Sequence, residues 1–338
     1  SVLKDASATA VFGAKGANGV IIVTTRSGNT GKPKMNISLS YGLDFPTNIP
    51  DHVSSAKTAE LLNVALKNTQ SFGSLIPQWQ IDEYARPSKI NTIRYPDTDW
   101  FDLTMRTCAQ TITANYNVSG GSQRVKYFLS LGYSHEGSIF KDFSEWSNAN
   151  FRYDRINYRS NLDFDVTRST KLSVKVGGVL GIRQAPTGAS VSGLFNMMYS
   201  ASPMMYPAYY PAWVLEEIPD TDYPDASGGR LSSPRTAYFG NIRTSLSTGE
   251  FEQTTDNKLY TDINFEQKLD FITKGLSVKA NVSLSTYYSR ISQTATNSNP
   301  TFYIDWNRYD AGDGNPWIYS AASEHVYENT PYAVTRGA

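Results

Sequence analysis

Seven stretches of this chain alternate between apolar and polar residues with a period of two. Side chains on one face of a β-strand recur with that period, so each stretch predicts a strand with one apolar and one polar face. The predicted strands are about 10–14 residues long, whereas strands of globular sheets usually have roughly 5–6 residues. Their first apolar residues are Met35, Ile112, Val125, Ile156, Leu172, Leu259 and Leu276.

The charged residues of these strands fall on the polar face. A Lys or Arg on the lipid side of a membrane strand costs about 2–4 kcal/mol at the bilayer midplane, and a slip of one residue would put every one of these charges there. A soluble β-sandwich would show the same alternation, so the pattern alone leaves both architectures open. The charged residues are Lys126, Arg159, Asp163, Asp165, Lys175, Asp262, Glu266, Lys268 and Lys279.

The connections between the predicted strands alternate strictly between short and long. Outer-membrane barrels have short periplasmic turns and long extracellular loops. This asymmetry therefore favours an all-β fold, a partial transmembrane antiparallel β-barrel with about seven strands of a larger barrel. Tight turns are predicted at 120–123, 167–170 and 273–275, and long connections at 46–111, 134–150, 184–256 and 289–338.

The composition narrows the possible functions. The 31 basic and 31 acidic residues cancel, whereas a nucleic-acid partner requires a basic excess or patch. Cys108 is the single cysteine, which excludes an internal disulfide and a multi-cysteine zinc site. No apolar run reaches the roughly 18 residues of a membrane helix, although barrel strands need no such run.

Aromatic residues are abundant, with 22 Tyr, 15 Phe and 6 Trp. Several lie near predicted strand ends, where membrane barrels carry aromatic girdles. This group consists of Tyr41, Phe45, Tyr133, Phe151, Tyr153, Tyr260, Tyr287 and Tyr288.

The first 28 residues predict a short helix, a glycine-rich turn and a strand. Asp5 or Ser7 can cap the helix, and the β-branched run that begins at Val20 predicts a buried strand that ends at Gly28. The spacing of Gly13, Gly16 and Gly19 superficially suggests a nucleotide loop. That motif needs a strand before the glycines and a helix after them, and here the order is reversed. This unit is too small to bury a core and must pack against something larger.

The stretch VLKDASATAVFGAKGANGVIIVTT also resembles the end of the plug domain in SusC/RagA-type TonB-dependent outer-membrane transporters. The residues that carry the plug motif are Asp5, Gly13, Gly16, Asn18 and Gly19. The stretches DTDWFDL (97–103), GGSQRVKYFLSLGYSHEGS (120–138) and RYDRINYRSNLDFDVTRSTKLSVKVGG (152–178) are also similar to that family. The resemblance covers the plug end and at least five strands, and it weakens in the loops.

The resemblance implies two regions, the C-terminal end of a plug at 1–33 and the N-terminal part of a transmembrane barrel at 34–338, with long extracellular loops at 46–111, 184–256 and 289–338. Residue 1 lies inside the plug motif without a signal peptide before it, and 328–338 show no obvious terminal strand. We therefore expect a fragment of a longer chain. Seven strands would leave two unpaired sheet edges.

Two helices are predicted within the long connections. The first spans 55–67, with Ala59, Leu62 and Leu66 on one face, and the second spans 188–200, where Leu194 and two methionines can pack against neighbouring loops.

Catalytic chemistry finds little support in the sequence. His52, His135 and His325 are isolated from one another in the sequence, whereas metal sites need clustered ligands. Asp163 and Asp165 share a strand face and could mimic the carboxylate pair of a glycosidase, but charged residues are also usual in a barrel lumen.

Two groups of loop residues offer oxygen ligands for calcium. Their spacing is not that of a helix-loop-helix calcium site, and the same residue types favour polar turns, which is the better interpretation. The groups are Asp305, Asn307, Asp310, Asp313 and Asn315, and Asp220, Asp222 and Asp225.

Loop aromatics are the better candidates for contact with a substrate or partner. A flat ring gives a large contact area at a small entropic cost, although the same rings can instead pack the loops together. The candidates are Trp79, Trp100, Tyr209, Tyr210, Trp213, Trp306 and Trp317.

The resemblance implies TonB-dependent uptake of oligosaccharides, or less often peptides, across the cell outer membrane. It implies a SusD-like surface lipoprotein over the loops, energy from TonB–ExbB–ExbD, a wall in contact with outer-membrane lipid, and plug displacement without bond chemistry. No catalytic residue, cofactor or metal is predicted. The alternatives are a soluble or surface-attached β-sandwich that binds glycans, and a glycan hydrolase that uses Asp163.

Overall fold

The structure, a computed structural model, describes residues 2–3, 20–21, 26–144, 148–222, 230–232, 241–247, 249–295, 301–319 and 333–336. These residues form one long antiparallel sheet with a layer of loops and short helices at one of its ends. Within these ranges, no helix has both the length and the apolar character that crossing a membrane requires.

The strands are β1 (Val2–Leu3), β2 (Val20–Ile21), β3 (Gly31–Asp44), β4 (Ala109–Gly121), β5 (Val125–Glu136), β6 (Arg152–Asp165), β7 (Thr170–Pro186), β8 (Tyr209–Tyr210), β9 (Arg230–Ser232), β10 (Phe251–Lys268), β11 (Ser277–Ala295), β12 (Thr301–Ile304), β13 (Trp317–Tyr319) and β14 (Ala333–Arg336). The helices are α1 (Ser55–Asn68), α2 (Gln78–Ala85), α3 (Asn91–Arg94), α4 (Trp100–Thr104), α5 (Val191–Ser200), α6 (Ala212–Glu217), α7 (Ile242–Ser247) and α8 (Trp306–Ala311), with a 3-10 turn at Phe72–Ser74.

The long sheet has the order β3-β4-β5-β6-β7-β10-β11-β14, and every neighbouring pair is antiparallel. Strands β3–β7, β10 and β11 confirm the seven predicted from the alternation. Strands β1 and β2 pair with each other, and β8, β9, β12 and β13 form a small sheet in the loop layer. The fold class predicted from the sequence is therefore confirmed.

The structure corrects some of the predicted boundaries. Strand β10 begins at Phe251 and β11 continues to Ala295, because the backbone ladder between them persists through polar residues that lack an apolar face. Leu269 and Phe271, expected in the strand, lie in the turn after Lys268. The end of the chain, expected to be irregular, contributes β14, which pairs with β11.

The cross-strand register confirms the separation of apolar and polar residues. Val174, Ile263 and Val282 lie directly opposite one another on what we call the apolar face. The residue that follows each of them, as in Lys175 and Ser283, belongs to the polar face together with Asp262. A row of large apolar side chains is left exposed in this chain, with Ile37 at 75% and Val282 at 64%.

Three members of the expected aromatic girdle are wrong, because they lie on the polar face. Tyr287 pairs with Lys258 and donates a hydrogen bond of 2.6 Å to Asp256. Tyr260 lies in the middle of β10 and pairs with Gly177 and Ser285 on the polar face, where the glycine leaves room for the ring. Tyr153 also lies on the polar face, opposite Glu136 and Arg183.

The long connections pack together at one end of the sheet through two hydrophobic clusters. Loop cluster A contains Trp100, Met105, Phe140, Leu194, Met198, Tyr206, Ala208, Ile242 and Leu246, and loop cluster B contains Ile93, Tyr210, Val214, Ile218, Phe302, Ile304 and Trp317. Helices α1 and α5 confirm the two predicted helices, except that Leu62 is exposed on α1 while Ala59 is buried.

Candidate functional site

Residues 26–30, which we call the strap, lead into β3 across the polar face of the sheet. The Asn161 side chain on β6 is only 1% exposed, and its Nδ2 donates a hydrogen bond of 2.6 Å to the backbone oxygen of Arg26. Asn161 is paired with Phe128 and Lys175 on the polar face, so the strap lies on this face. The polar face therefore holds the segment that precedes β3.

Gly28 fixes the height of the strap above β5. The residue is buried, and a Cβ added there would overlap the backbone N, C and O atoms of Tyr127. The Tyr127 side chain belongs to the opposite, apolar face, so only backbone lies beneath Gly28 at this point. Gly31, with a φ of 138°, then turns the chain into β3, beside a register shift in its pairing with β4.

The loop layer contains an open cleft of about 780 Å³ between the first and third long connections. Its walls combine the rings of Tyr84, Tyr95 and Tyr209 with the carboxylates of Asp97, Asp99 and Asp102, and with Arg86 and Arg243. The guanidinium of Arg243 stacks on Tyr209 at 4.0 Å, and burial raises the pKa of the Tyr84 hydroxyl. The cleft thus offers flat apolar surfaces beside charges of both signs.

The cleft walls are held by hydrogen bonds within the loops. The Asp97 carboxylate accepts hydrogen bonds from the backbone N–H and hydroxyl of Ser55 at 2.8 and 3.0 Å, and it lies 3.0 Å from His52 Nε2. Asp99 caps α4 by accepting from the backbone N–H groups of Phe101 and Asp102. The carboxylates of Asp97 and Asp99 therefore stabilise the walls of the cleft.

The candidate aromatics separate into buried and accessible groups. Trp100 lies in loop cluster A, and Tyr210 and Trp317 lie in loop cluster B, where each is 3% exposed. Trp213 and Trp306 pack against cluster B and are covered by Lys89 and Arg94, at 4.2 and 5.1 Å. Trp79 on α2 is exposed, and Tyr209 is half-buried like Trp213 and Trp306 but lines the cleft. Trp79 and Tyr209 are therefore the candidates best placed for contact with a substrate or partner.

A buried ion pair joins the loop segments that carry cluster B. Arg230 donates to Asp220, both side chains are nearly inaccessible, and the guanidinium lies between Phe302 and Trp317, 4.4 and 4.8 Å from their ring centroids. Burial by itself would raise the pKa of Asp220, but hydrogen bonds from Arg230 and Asn315 hold that pKa below its ordinary value. Asp220 therefore stays charged inside the layer.

Three of the oxygen-rich residues at 305–315 cap a helix or contact other loop side chains. Asp305 caps α8, and Asn315 Nδ2 donates to Asp220 at 2.7 Å. Arg94 donates to Asp310 from the first long connection at 2.8 Å, which lowers the pKa of that carboxyl. These contacts favour the interpretation as polar turns. Asp225 lies outside the described residues.

The other titratable candidates stand apart from one another. Nδ1 of His135 contacts Asp154 at 2.7 Å at the loop end of β5 and β6. Asp163 accepts a hydrogen bond of 2.6 Å from Ser173, and Asp165 lies 3.9 Å from Lys126 on the polar face. Neither contact assembles a hydrolytic site. His325 and the plug-motif residues Asp5, Gly13, Gly16, Asn18 and Gly19 lie outside the described residues.

Sequence reasoning missed Asn161 as the contact of the strap, and it missed Tyr84, Tyr95 and Arg243 as cleft residues. Asn161 is one of several polar residues on the polar face of β6, and nothing local distinguishes it from Asn157. The capping role of Asp99 was readable, since an aspartate before Trp-Phe-Asp-Leu is a typical helix start.

Long antiparallel strands, an uncovered apolar face, and long loops at one end of the sheet are typical of the wall of a transmembrane β-barrel. The chain matches no protein-family model. It is 30% identical over 198 residues to TonB-dependent receptor P3 of Formosa agariphila, covering 57% of this chain and 17% of that protein. It is also 30% identical over 191 residues to TonB-dependent receptor SusC of Bacteroides thetaiotaomicron, covering 54% of this chain and 17% of that receptor.

Solved structures show the same fold. The RagAB peptide importer in its closed-closed state overlays on the chain with a TM-score of 0.62 and 18% identity, covering 88% of this chain and 33% of that one. Its open-open state gives a TM-score of 0.57 and covers 88% of this chain and 32% of that one. The chain is thus similar in sequence to TonB-dependent receptors that include SusC, and its fold is that of part of the RagAB importer. It spans about a sixth of the length of the curated relatives it matches.

Proposed function

We propose that this chain is part of an outer-membrane receptor that imports oligosaccharides or peptides with energy from TonB. The observation that carries the proposal is the single long-stranded sheet with its loops gathered at one end, in a chain similar to SusC and to the RagAB peptide importer. Residues 1–33 would be the end of the plug, and residues 34–338 would be the wall and its extracellular loops. The receptor would act without bond chemistry.

We assign a different environment to each face of the sheet. Exposed apolar residues such as Ile37 and Val282 would lie in lipid, and the polar face would line the lumen. The strap supports this orientation, because the segment before the barrel lies on the polar face. TonB–ExbB–ExbD would displace the plug from this lumen, and a SusD-like lipoprotein would cover the loop layer.

The cleft is the place where we propose that substrate first contacts the chain. Tyr84, Tyr95 and Tyr209 offer ring faces for sugars or apolar side chains, and the carboxylates and arginines offer partners for hydroxyls or peptide termini. Trp79 lies exposed on α2, the helix that also carries Tyr84. This composition suits both oligosaccharides and peptides, so the binding experiment includes both substrate classes.

Replacing Tyr209 with alanine is expected to weaken substrate binding to the purified receptor. Loss of one stacking ring costs about 0.5–1.5 kcal/mol, which corresponds to roughly a twofold to tenfold increase in Kd. The measurement is titration calorimetry with a panel of oligosaccharides and peptides, followed by uptake assays in cells with and without TonB.

Phe72→Ala is the matched control, because Phe72 is an exposed aromatic of the same loop layer that does not line the cleft. Equal binding by both variants would remove the cleft from the proposal. Uptake that persists without TonB would contradict the transport function itself.

A further inference from the structure

We propose that Asn161 and Gly28 form a fixed anchor that holds the strap on the barrel wall while the plug is displaced. This inference rests on the proposed transport function and adds a position for the hinge. It assigns Asn161 a positioning role: the residue would hold the pivot of the moving part and would not contact the substrate.

The first argument is the burial of a polar side chain that donates a hydrogen bond to the strap. Asn161 is almost fully buried in a face that elsewhere consists of accessible polar residues, and it donates to the backbone oxygen of Arg26. Release of the strap would break this bond, and an intramolecular hydrogen bond makes a net contribution to stability. Release of the strap is therefore opposed at this point by a specific hydrogen bond.

The second argument is the fit of the backbone at Gly28. The chain passes so close to Tyr127 that no side chain fits at this position, as the overlap of an added Cβ shows. Close backbone approach of this kind requires glycine. The two contacts lie on neighbouring strands, Asn161 on β6 and Tyr127 on β5, so the strap is held at two points of the wall.

The third argument is the turn that follows. Gly31 adopts a φ of 138° and the β3–β4 register shifts between Gly31 and Lys34, so the chain changes direction immediately after the anchor. A pulling force on the plug would meet the Asn161 and Gly28 contacts before it reached the β3–β4 ladder. The anchor would thus protect the edge of the barrel while the plug moves.

The test uses cysteine accessibility in the full receptor with Cys108 replaced by serine. Phe128→Cys reports on a buried polar-face residue of β5 that pairs with Asn161 and follows Tyr127, whose backbone lies beneath Gly28. Ala14→Cys reports on the glycine-rich stretch that precedes the strap. In purified receptor, Asn161→Ala is expected to raise maleimide labelling at position 128 by about tenfold, which corresponds to about 1.4 kcal/mol. Gly28→Ala is expected to act in the same direction.

Asn157→Ala is the matched control, since Asn157 lies on the same face of β6 four residues away and is paired with Gly132 and Val179. Gly42→Ala is the second control, because an added Cβ there meets only ordinary contacts at 3.8 Å. Both controls are expected to label like the parent receptor. Equal labelling of the Asn161→Ala and parent receptors would overturn the anchor, whether or not the receptor transports.

In energised cells, labelling at position 14 is expected to rise in a TonB-dependent way while labelling at position 128 stays constant. A rise at both positions in the parent receptor would overturn the proposal, because the strap would then leave the wall with the plug. No TonB response at either position would contradict the transport function and the hinge together, while the purified receptor would still decide the anchor.

Discussion

Replacing Arg230 with alanine is expected to destabilise the loop layer by about 3–5 kcal/mol, because it leaves the Asp220 carboxylate buried without its cation. Each of the two side chains is at most 3% exposed, so solvent would screen little of the lost charge interaction. The change also removes the cation from between Phe302 and Trp317 in loop cluster B. Hydrogen exchange of the full receptor in detergent should show faster exchange in α6, β12 and β13 while the long sheet keeps its protection.

Lys57→Ala provides the control for this prediction. Lys57 pairs with Glu60 on α1 in the same loop layer, but both side chains are more than half exposed, and such pairs contribute about 0–1 kcal/mol. If the Arg230→Ala receptor exchanges no faster than the Lys57→Ala receptor, the buried pair does not hold the loop segments together.

Replacing Val282 with arginine is expected to weaken folding of the receptor into a bilayer by about 2–4 kcal/mol. Val282 lies in β11 between Ile263 on β10 and the sheet edge, and its side chain is on the apolar face. An arginine there would enter lipid without a counter-ion. The measurement is the midpoint of a urea titration of receptor folded into liposomes.

Ser283→Arg changes the next residue of the same strand and is the matched control. Its side chain lies on the polar face, where Ser283 already donates to Asp262 at 2.6 Å, so an arginine there would meet a carboxylate. The control is expected to fold within about 1 kcal/mol of the parent, as surface ion pairs contribute little. Equal losses of folding free energy for the two variants would contradict the assignment of lipid to the apolar face alone.

The wall could be predicted from the sequence because one physical constraint acts on every residue of it. An apolar environment on one face and a polar one on the other impose a period of two, and Val174, Lys175, Val282 and Ser283 fall where that period puts them. The ends of β10 and β11 could not be read, since the hydrogen-bond ladder continues through Thr254 and Thr255 after the apolar pattern stops.

The loop layer was less accessible to sequence reasoning, because its packing depends on contacts between distant segments. Trp100 and Trp317 look like exposed loop aromatics in the sequence, but loops separated by about a hundred residues or more bury them, as the bond from Trp100 Nε1 to the Ser202 oxygen illustrates. The sequence likewise did not predict the anchor formed by Asn161 and Gly28. Asn161 becomes distinct from other polar residues only when the strap lies above it.

Lipid exposure at Val282 and Ser283 is the most direct test of the central claim, that this chain forms the wall of a transmembrane barrel. The receptor with Cys108 replaced by serine would carry a fluorophore on cysteine at position 282 or position 283, in liposomes that contain brominated lipid. The account predicts strong quenching at 282 and weak quenching at 283. Equal quenching at the two positions, or a receptor that stays folded and monodisperse in water without detergent, would contradict it.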